Sequence, residues 1–196
     1  MTRSALLVLC FVFLGCARKP EIDYGQVPEF SLTDQNGKSM TRTDLAGKVW
    51  IADFIFTNCA GTCPIITGTM RRLQDALPEQ VHLVSFSVDP VRDTPEVLSE
   101  YAKKANANTV RWHFLTGDKS QLYDLSIKGF KLALEDTGGT DLEPITHSTR
   151  LVLVDKDGKI RGYYGGTDED DMRKLFTDAA ALLLSESPTC RPSMRH

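Results

Sequence analysis

The stretch Lys48–Phe56, KVWIADFIF, constrains this chain more than any other. From Val49 to Phe56 every residue except Asp53 is apolar, with no polar alternation. A strand with one wet face alternates, whereas an unbroken apolar run needs cover on both faces. VHLVSFSVD at 81–89 is a second buried run of the same kind. Between the two, Ile66, Met70, Leu73 and Leu77 recur at helical spacing and make one apolar stripe. Pro64 suits the first turn of that helix. Strands that alternate with helices in this way point to an α/β sheet.

The remaining segments continue the pattern. PEFSLTDQNGKSMT holds two short strands around the hairpin signal Asn36-Gly37. DTPEVLSEYAKKA reads as a helix with Asp93 or Thr94 as its cap and Glu96 in the first turn. VRWHFLTG is a further strand and DKSQLYDLSIK a further helix. A hairpin-like insertion follows near 128–146, with Gly138-Gly139 at its tip. HSTRLVLVDKDGKIRGYYGG then reads as two strands around Asp157-Gly158, and DEDDMRKLFTDAAALLLSE as the last helix, its acids in the turn where the helix dipole favours them. With 196 residues, 41% hydrophobic and 25% charged, the chain suits one globular domain with a full core. The expected layout is a mixed central sheet with flanking helices over 28–185, after a linker at 17–27 and before a disordered tail at 186–196. A net charge of −3 with no long basic run gives no sign of nucleic-acid binding.

The N-terminus has the anatomy of a secretory signal over residues 1–16: Arg3, an apolar run from Ala5 to Leu14, then Gly15-Cys16. That run is short for a membrane span, which needs about 20 residues. The small residue before Cys16 resembles a bacterial lipobox, in which the cysteine becomes the lipidated N-terminus. Phe13 departs from the Leu that the pattern prefers. An ordinary or uncleaved signal is the alternative. Either way the domain is expected outside the cytoplasm, in the cell envelope on the periplasmic side and lipid-anchored to a membrane.

Cys10 falls within the signal and Cys16 at the lipobox, so Cys59, Cys63 and Cys190 remain. Cys59 and Cys63 enclose a very short loop, and loop-closure stabilisation grows with loop length, so they make a poor staple. Chemistry is the better reason for the pair. Cys63 stands where a strand hands over to a helix, and the positive end of a helix dipole favours a thiolate, both nucleophile and metal ligand. One turn of helix-like winding brings Cys59 to the same side. Of the four histidines, His82 and His113 sit in or beside strands and His196 is terminal. His147 stands at the start of a strand after the insertion, and loop ends gather at one edge of an open α/β sheet. Two thiolates and an imidazole form a soft three-ligand site suited to Cu(I) and acceptable to Cu(II).

DFIFTNCAGTCP, SFSVDPVRDTPEVLSEYAKK and ITHSTRLVLVDKDGKIRGYY, in that order, resemble the three signature blocks of the SCO/SenC family over roughly residues 26–185. The resemblance implies a thioredoxin-like fold and copper bound through Cys59, Cys63 and His147. It implies a role in building the copper centre of cytochrome c oxidase, with that enzyme's copper-site subunit or another envelope copper protein as partner. Two positions depart from the family: Ala60-Gly61 replaces a common Pro-Asp, and Thr146 replaces a common Asp before the histidine, so the surroundings that tune copper affinity differ. In thioredoxins a buried Asp lies six residues before the first active-site cysteine and helps move its proton; Asp53 is likewise six before Cys59. A hydrogen-bonded or edge-facing structural Asp is the alternative.

Three functions compete: a copper metallochaperone, a thiol–disulfide oxidoreductase that uses Cys59, Cys63 and Asp53 catalytically on partner cysteines, and a peroxidase-like relative. The three-residue spacer argues against an ordinary thioredoxin, His147 argues for metal, and Asp53 argues for thiol chemistry. The peroxidase reading is weakest, because a paired CxxxC plus histidine is not needed for it. Asp155–Gly158 reads as a hairpin turn rather than a calcium loop, Asp168–Asp171 as a helix start rather than a metal cluster, Asp89, Arg92 and Asp93 mainly as capping and loop-fixing residues with partner docking as the alternative, and Cys190 as idle rather than paired with another chain.

Overall fold

The computed structural model describes residues 23–58, 63–132, 134–135 and 146–184, of which 134–135 and 146–147 are placed by their backbone. The strands are β1 (Ser31–Asp34), β2 (Ser39–Thr41), β3 (Val49–Ile55), β4 (Val81–Ser87), β5 (Trp112–Thr116), β6 (Leu134–Glu135), β7 (Thr146–His147), β8 (Arg150–Val154) and β9 (Ile160–Gly165). The helices are α1 (Cys63–Ala76), α2 (Pro95–Lys104), α3 (Lys119–Asp124) and α4 (Glu169–Leu184).

Seven strands form one sheet in the order β2-β1-β5-β4-β3-β8-β9, and β6 and β7 form a separate ribbon. β3, β4 and β5 run parallel. β1 and β8 flank them antiparallel, so the sheet is mixed as the alternation predicts. β3 is buried at all seven positions, which is why its sequence does not alternate. Trp50, Ala52 and Phe54 face an aromatic-rich core with Phe86 and Phe130. Val49, Ile51 and Ile55 face an aliphatic core built with Ile66, Met70 and Leu73 of α1 and Leu175 of α4. By alternation Asp53 shares this second face.

Both turn signals close hairpins. Gly37, at φ 75°, turns β1 into β2, with its N–H on Asp34 O at 2.9 Å. Gly158, at φ 79°, does the same between β8 and β9, with its N–H on Asp155 O at 3.0 Å. Positive φ is the conformation for which glycine carries no side-chain penalty. The fold also takes in the end of the stretch before residue 28. Val27 is buried, its N–H bonds Gly158 O at 2.9 Å, and Tyr24 packs edge-on to Tyr163. The tip of the insertion and the C-terminal tail lie outside the described residues.

At the end of β4 farthest from Cys63, the buried Arg111 ties the end of α1 to β5. Its guanidinium donates to Pro78 O at 2.7 Å and to the carbonyls of Gln74 and Leu77. Gln74 O is one of the carbonyls that a helix terminus leaves without an internal partner, and Leu77 and Pro78 lie just past that terminus.

Candidate functional site

β3 delivers the chain to Thr57 and Asn58, and α1 resumes it at Cys63. Cys63 is fully buried in the aromatic-rich core, together with Phe54, Phe56 and Val88. It opens a 14-residue helix. The first-turn amides of α1 therefore present their positive end at the position of this thiol. Cys59 lies outside the described residues. Ile65, 56% exposed, and Val91, 79% exposed, leave apolar surface beside this end of the sheet.

His147 belongs to β7, whose backbone pairs it with Leu134. Its place follows from register. β8 runs antiparallel to β3, with Val154 opposite Trp50 and Val152 opposite Ala52. The start of β8 therefore lies beside the end of β3, the edge at which α1 begins. A hydrogen-bond chain holds this arrangement: Thr69 Oγ1 of α1 donates to Gly166 O at 2.8 Å, and Gly166 N–H donates to Thr149 O at 3.1 Å. Thr149 follows His147 by two residues. The sequence-predicted Cys63 and His147 are thus brought to one edge by backbone placement.

Asp93 fixes a loop rather than capping the helix. The cap of α2 is Thr94, whose Oγ1 accepts from Val97 N–H at 3.4 Å. Asp93 turns the other way and is fully buried. Its carboxylate accepts from Thr57 N–H at 3.2 and 3.3 Å, from the Thr57 hydroxyl at 2.5 Å and from the Ser87 hydroxyl at 2.6 Å. Burial pushes its pKa up, and the Ser87 and Thr57 hydrogen bonds oppose that push. Ser87 Oγ also accepts from Asp89 N–H at 3.1 Å, and the Asp89 carboxylate pairs with Arg92. One signal for this network was present in the sequence: Ser87 is a polar residue at the end of a buried strand.

Asp53 is 1% exposed in the middle of β3, and neither carboxylate oxygen has a hydrogen-bond partner among the described residues. Asp53 is thus not edge-facing, and among the described residues no hydrogen bond of ordinary geometry reaches its carboxylate. Ser85 stands opposite on β4 and its hydroxyl offsets part of the burial penalty, though no hydrogen bond of ordinary geometry joins the two. Ser85 Oγ accepts from Trp112 Nε1 at 2.9 Å. Desolvation dominates and pushes the Asp53 carboxyl up to about 7.

The other candidates are ordinary. Asp155 Oδ1 accepts from the N–H groups of Asp157 and Lys159, which makes the predicted hairpin turn. Asp168 Oδ1 accepts from those of Asp170 and Asp171, which starts α4. His82 and His113 stack with ring centroids 6.1 Å apart on adjacent strands, far from Cys63. Among the described residues no three His, Cys, Asp or Glu side chains form a metal cluster, and no helix is long and apolar enough to cross a membrane.

A mixed sheet with flanking helices and a cysteine opening the helix after its central strand defines a thioredoxin-like α/β protein. The SCO1/SenC family profile matches residues 20–182. The chain is 35% identical over 178 residues to the SCO1 protein homolog of Bacillus subtilis, covering 87% of this chain and 91% of the relative. It is 37% identical over 144 residues to a putative copper-binding protein of Stutzerimonas stutzeri, covering 70% and 68%. Among solved structures it resembles a SCO1/SenC family lipoprotein from Bacillus anthracis, with TM-score 0.73, 34% identity, and 81% and 95% of the two chains covered. BsSco, a member of the Sco family of cytochrome c oxidase assembly proteins in which a disulfide switch was identified, gives 0.71, 34%, 84% and 98%. Copper-bound ScoI of Bradyrhizobium japonicum gives 0.64, 25%, 81% and 99%. This chain belongs to the SCO1/SenC family.

Proposed function

We propose that this protein is a copper-binding metallochaperone that helps assemble the copper centre of cytochrome c oxidase, with Cys59, Cys63 and His147 as the ligands of its cargo. The observation that carries this reading is placement: Cys63 opens α1 at the edge where register puts the strand entry bearing His147. Two thiolates and an imidazole are a soft donor set that suits Cu(I) and tolerates Cu(II). The copper-bound relative and the relative described as copper-binding support it. The test is titration of the reduced full-length protein, in detergent, with Cu(I) and with Cu(II). One copper per chain is expected, and His147→Ala should weaken binding roughly 10-fold or more without loss of fold. Unchanged affinity for both copper states overturns the ligand assignment.

Asp53 favours a second activity at the same cysteines, thiol–disulfide exchange on a partner. A carboxyl with a pKa near neutrality can take and return the proton that exchange must move. Here it does so through an intermediate carrier, because Asp53 shares the face of the aliphatic core whereas Cys63 lies in the aromatic-rich one. Copper binding needs no such relay, because the metal holds the thiols deprotonated. Asp53→Asn should therefore slow reduction of a test disulfide and leave Cu(I) affinity unchanged. An exchange rate untouched by the substitution removes Asp53 from the mechanism.

The sequence around Cys16, and the relative described as a lipoprotein, support a lipid anchor on the periplasmic side of the envelope. Detergent-phase partitioning should be lost in Cys16→Ser; partitioning that persists points to an uncleaved span.

A further inference from the structure

We propose that Asp93 is a positioning residue for the cysteine pair: its carboxylate pins Thr57, two residues before Cys59, to the end of β4 and so fixes the point from which the cysteine loop departs. The proposal rests on the reading of this pair as the functional site. Three donors converge on the carboxylate, from Thr57 N–H, the Thr57 hydroxyl and the Ser87 hydroxyl. They come from two segments that share no strand pairing beyond Ile55 and Ser87. All three donate to it here, so an acceptor-only carboxylate answers them completely, whereas an amide would turn its NH2 toward one of them and force that group to change its role. The group is fully buried, so water does not substitute for it.

The consequence is geometric. Cys63 is fixed independently, because it is buried and α1 is held by Ile66, Met70 and Leu73. Thr57 precedes Cys59 by two residues, a reach of at most about 7 Å at roughly 3.5 Å per residue. A disulfide tolerates Cα separations of only about 4.4–6.8 Å. With α1 held at one end and Thr57 held by Asp93 at the other, both points between which the cysteine loop must span are fixed before metal or partner arrives. Released from Asp93, the strand end gains freedom and the pair loses that preorganisation.

The test compares the full-length protein with Asp93→Ala, Asp93→Asn and Thr57→Val. Arg111→Ala serves as a control that disturbs a buried charged group at the opposite end of the sheet. The readouts are Cu(I) affinity by competition and the Cys59–Cys63 reduction potential against a dithiol buffer. Asp93→Ala should weaken Cu(I) binding by roughly 10- to 100-fold, the range for groups that orient metal ligands, and shift the potential. Asp93→Asn keeps one acceptor oxygen and should recover most of both. Arg111→Ala should lose stability and change neither. If Asp93→Ala does not fold, Thr57→Val decides: it removes one donor only and should shift both readouts in the same direction by less. Asp93→Ala or Thr57→Val with wild-type affinity and potential overturns the proposal. If the wild-type chain binds no copper, the copper reading fails by itself, and the potential alone still decides for or against the clamp.

Discussion

The sheet buries one carboxylate at its rim and another in its interior, and their surroundings are opposite. Asp93, at the rim, receives three protein donors; Asp53, in the middle of β3, receives none among the described residues. Burial pushes both pKa values up. At the rim the hydrogen bonds answer the charge and the side chain acts as a tether. In the interior only the nearby Ser85 hydroxyl relieves it, and the side chain holds a proton with a pKa of about 7. Equal burial therefore yields an anchor in one place and a titrating group in the other. The difference lies in how many donors the neighbouring strand supplies.

The largest effect that sharpens this contrast is the pH dependence of stability through Asp53. Its folded pKa of about 7 lies above the ordinary 3.8, so the folded state holds a proton that the unfolded state has lost. The stabilisation is fully present below about pH 4 and disappears as pH rises through about 7. A gap of about three units corresponds to an upper bound of about 4 kcal/mol. Chemical denaturation from pH 4 to 8 should show this loss in the wild type and not in Asp53→Asn. An unchanged slope in Asp53→Asn would mean that the interior carboxylate is ionised throughout, as a tethered one would be.

A smaller effect tests the rim from its other side. A Cβ on Gly166 would stand 2.6 Å from Ile66 Cδ1 and 2.9 Å from Thr149 O. The second neighbour is backbone and cannot swing aside. Gly166→Ala should cost about 1–3 kcal/mol, the usual range for overpacking. It should also displace Thr149, which leads from His147 of β7 into β8, and so weaken copper binding. Thermal unfolding and Cu(I) competition check the two parts. A variant that is destabilised yet binds copper as the wild type does would show that the Thr69–Gly166–Thr149 chain is structural only.

Much of this molecule is legible in the sequence because its signals are local. The apolar runs of β3 and β4, the stripe from Ile66 to Leu73, and the glycines at 37 and 158 each report on a few consecutive residues, and the structure places them accordingly. Three spaced blocks carried the family. What stayed hidden joins distant segments. Thr57 and Asp93 are 36 residues apart, and Thr69 and Gly166 are 97 apart. Sequence offered Asp93 or Thr94 as the cap and a loop-fixing role for Asp93; the cap is Thr94, and what stayed hidden was the loop partner, Thr57. Asp53 was visible as a charge in an apolar strand, but no sequence shows whether a donor will face it.

The smallest effect has the opposite sign and shares the Asp53 window. Desolvation, with Lys48, His113 and Arg111 nearby, lowers the His82 pKa to about 4. His113 is lowered too, by burial and Lys48, against Asp34 and Asp44. The His82 Nδ1 is buried without a partner among the described residues, so the neutral ring is the form that the fold accepts. Unfolding restores a pKa near 6.5, so this stabilisation is present above about pH 6.5 and is lost as pH falls through about 4. Between pH 4 and 6.5 His82 therefore gains stability with rising pH while Asp53 loses it, and the wild-type profile is flatter than either alone. Because His82 is only half buried, solvent screening keeps its share the smaller one. His82→Gln should steepen the decline in stability toward pH 7, and the pair His82→Gln with Asp53→Asn should leave the profile nearly level. Because the two sites lie on opposite faces of the sheet, their contributions should add. A double variant whose slope differs from the sum of the singles would show that the interior carboxylate and the histidine pair are coupled through β4.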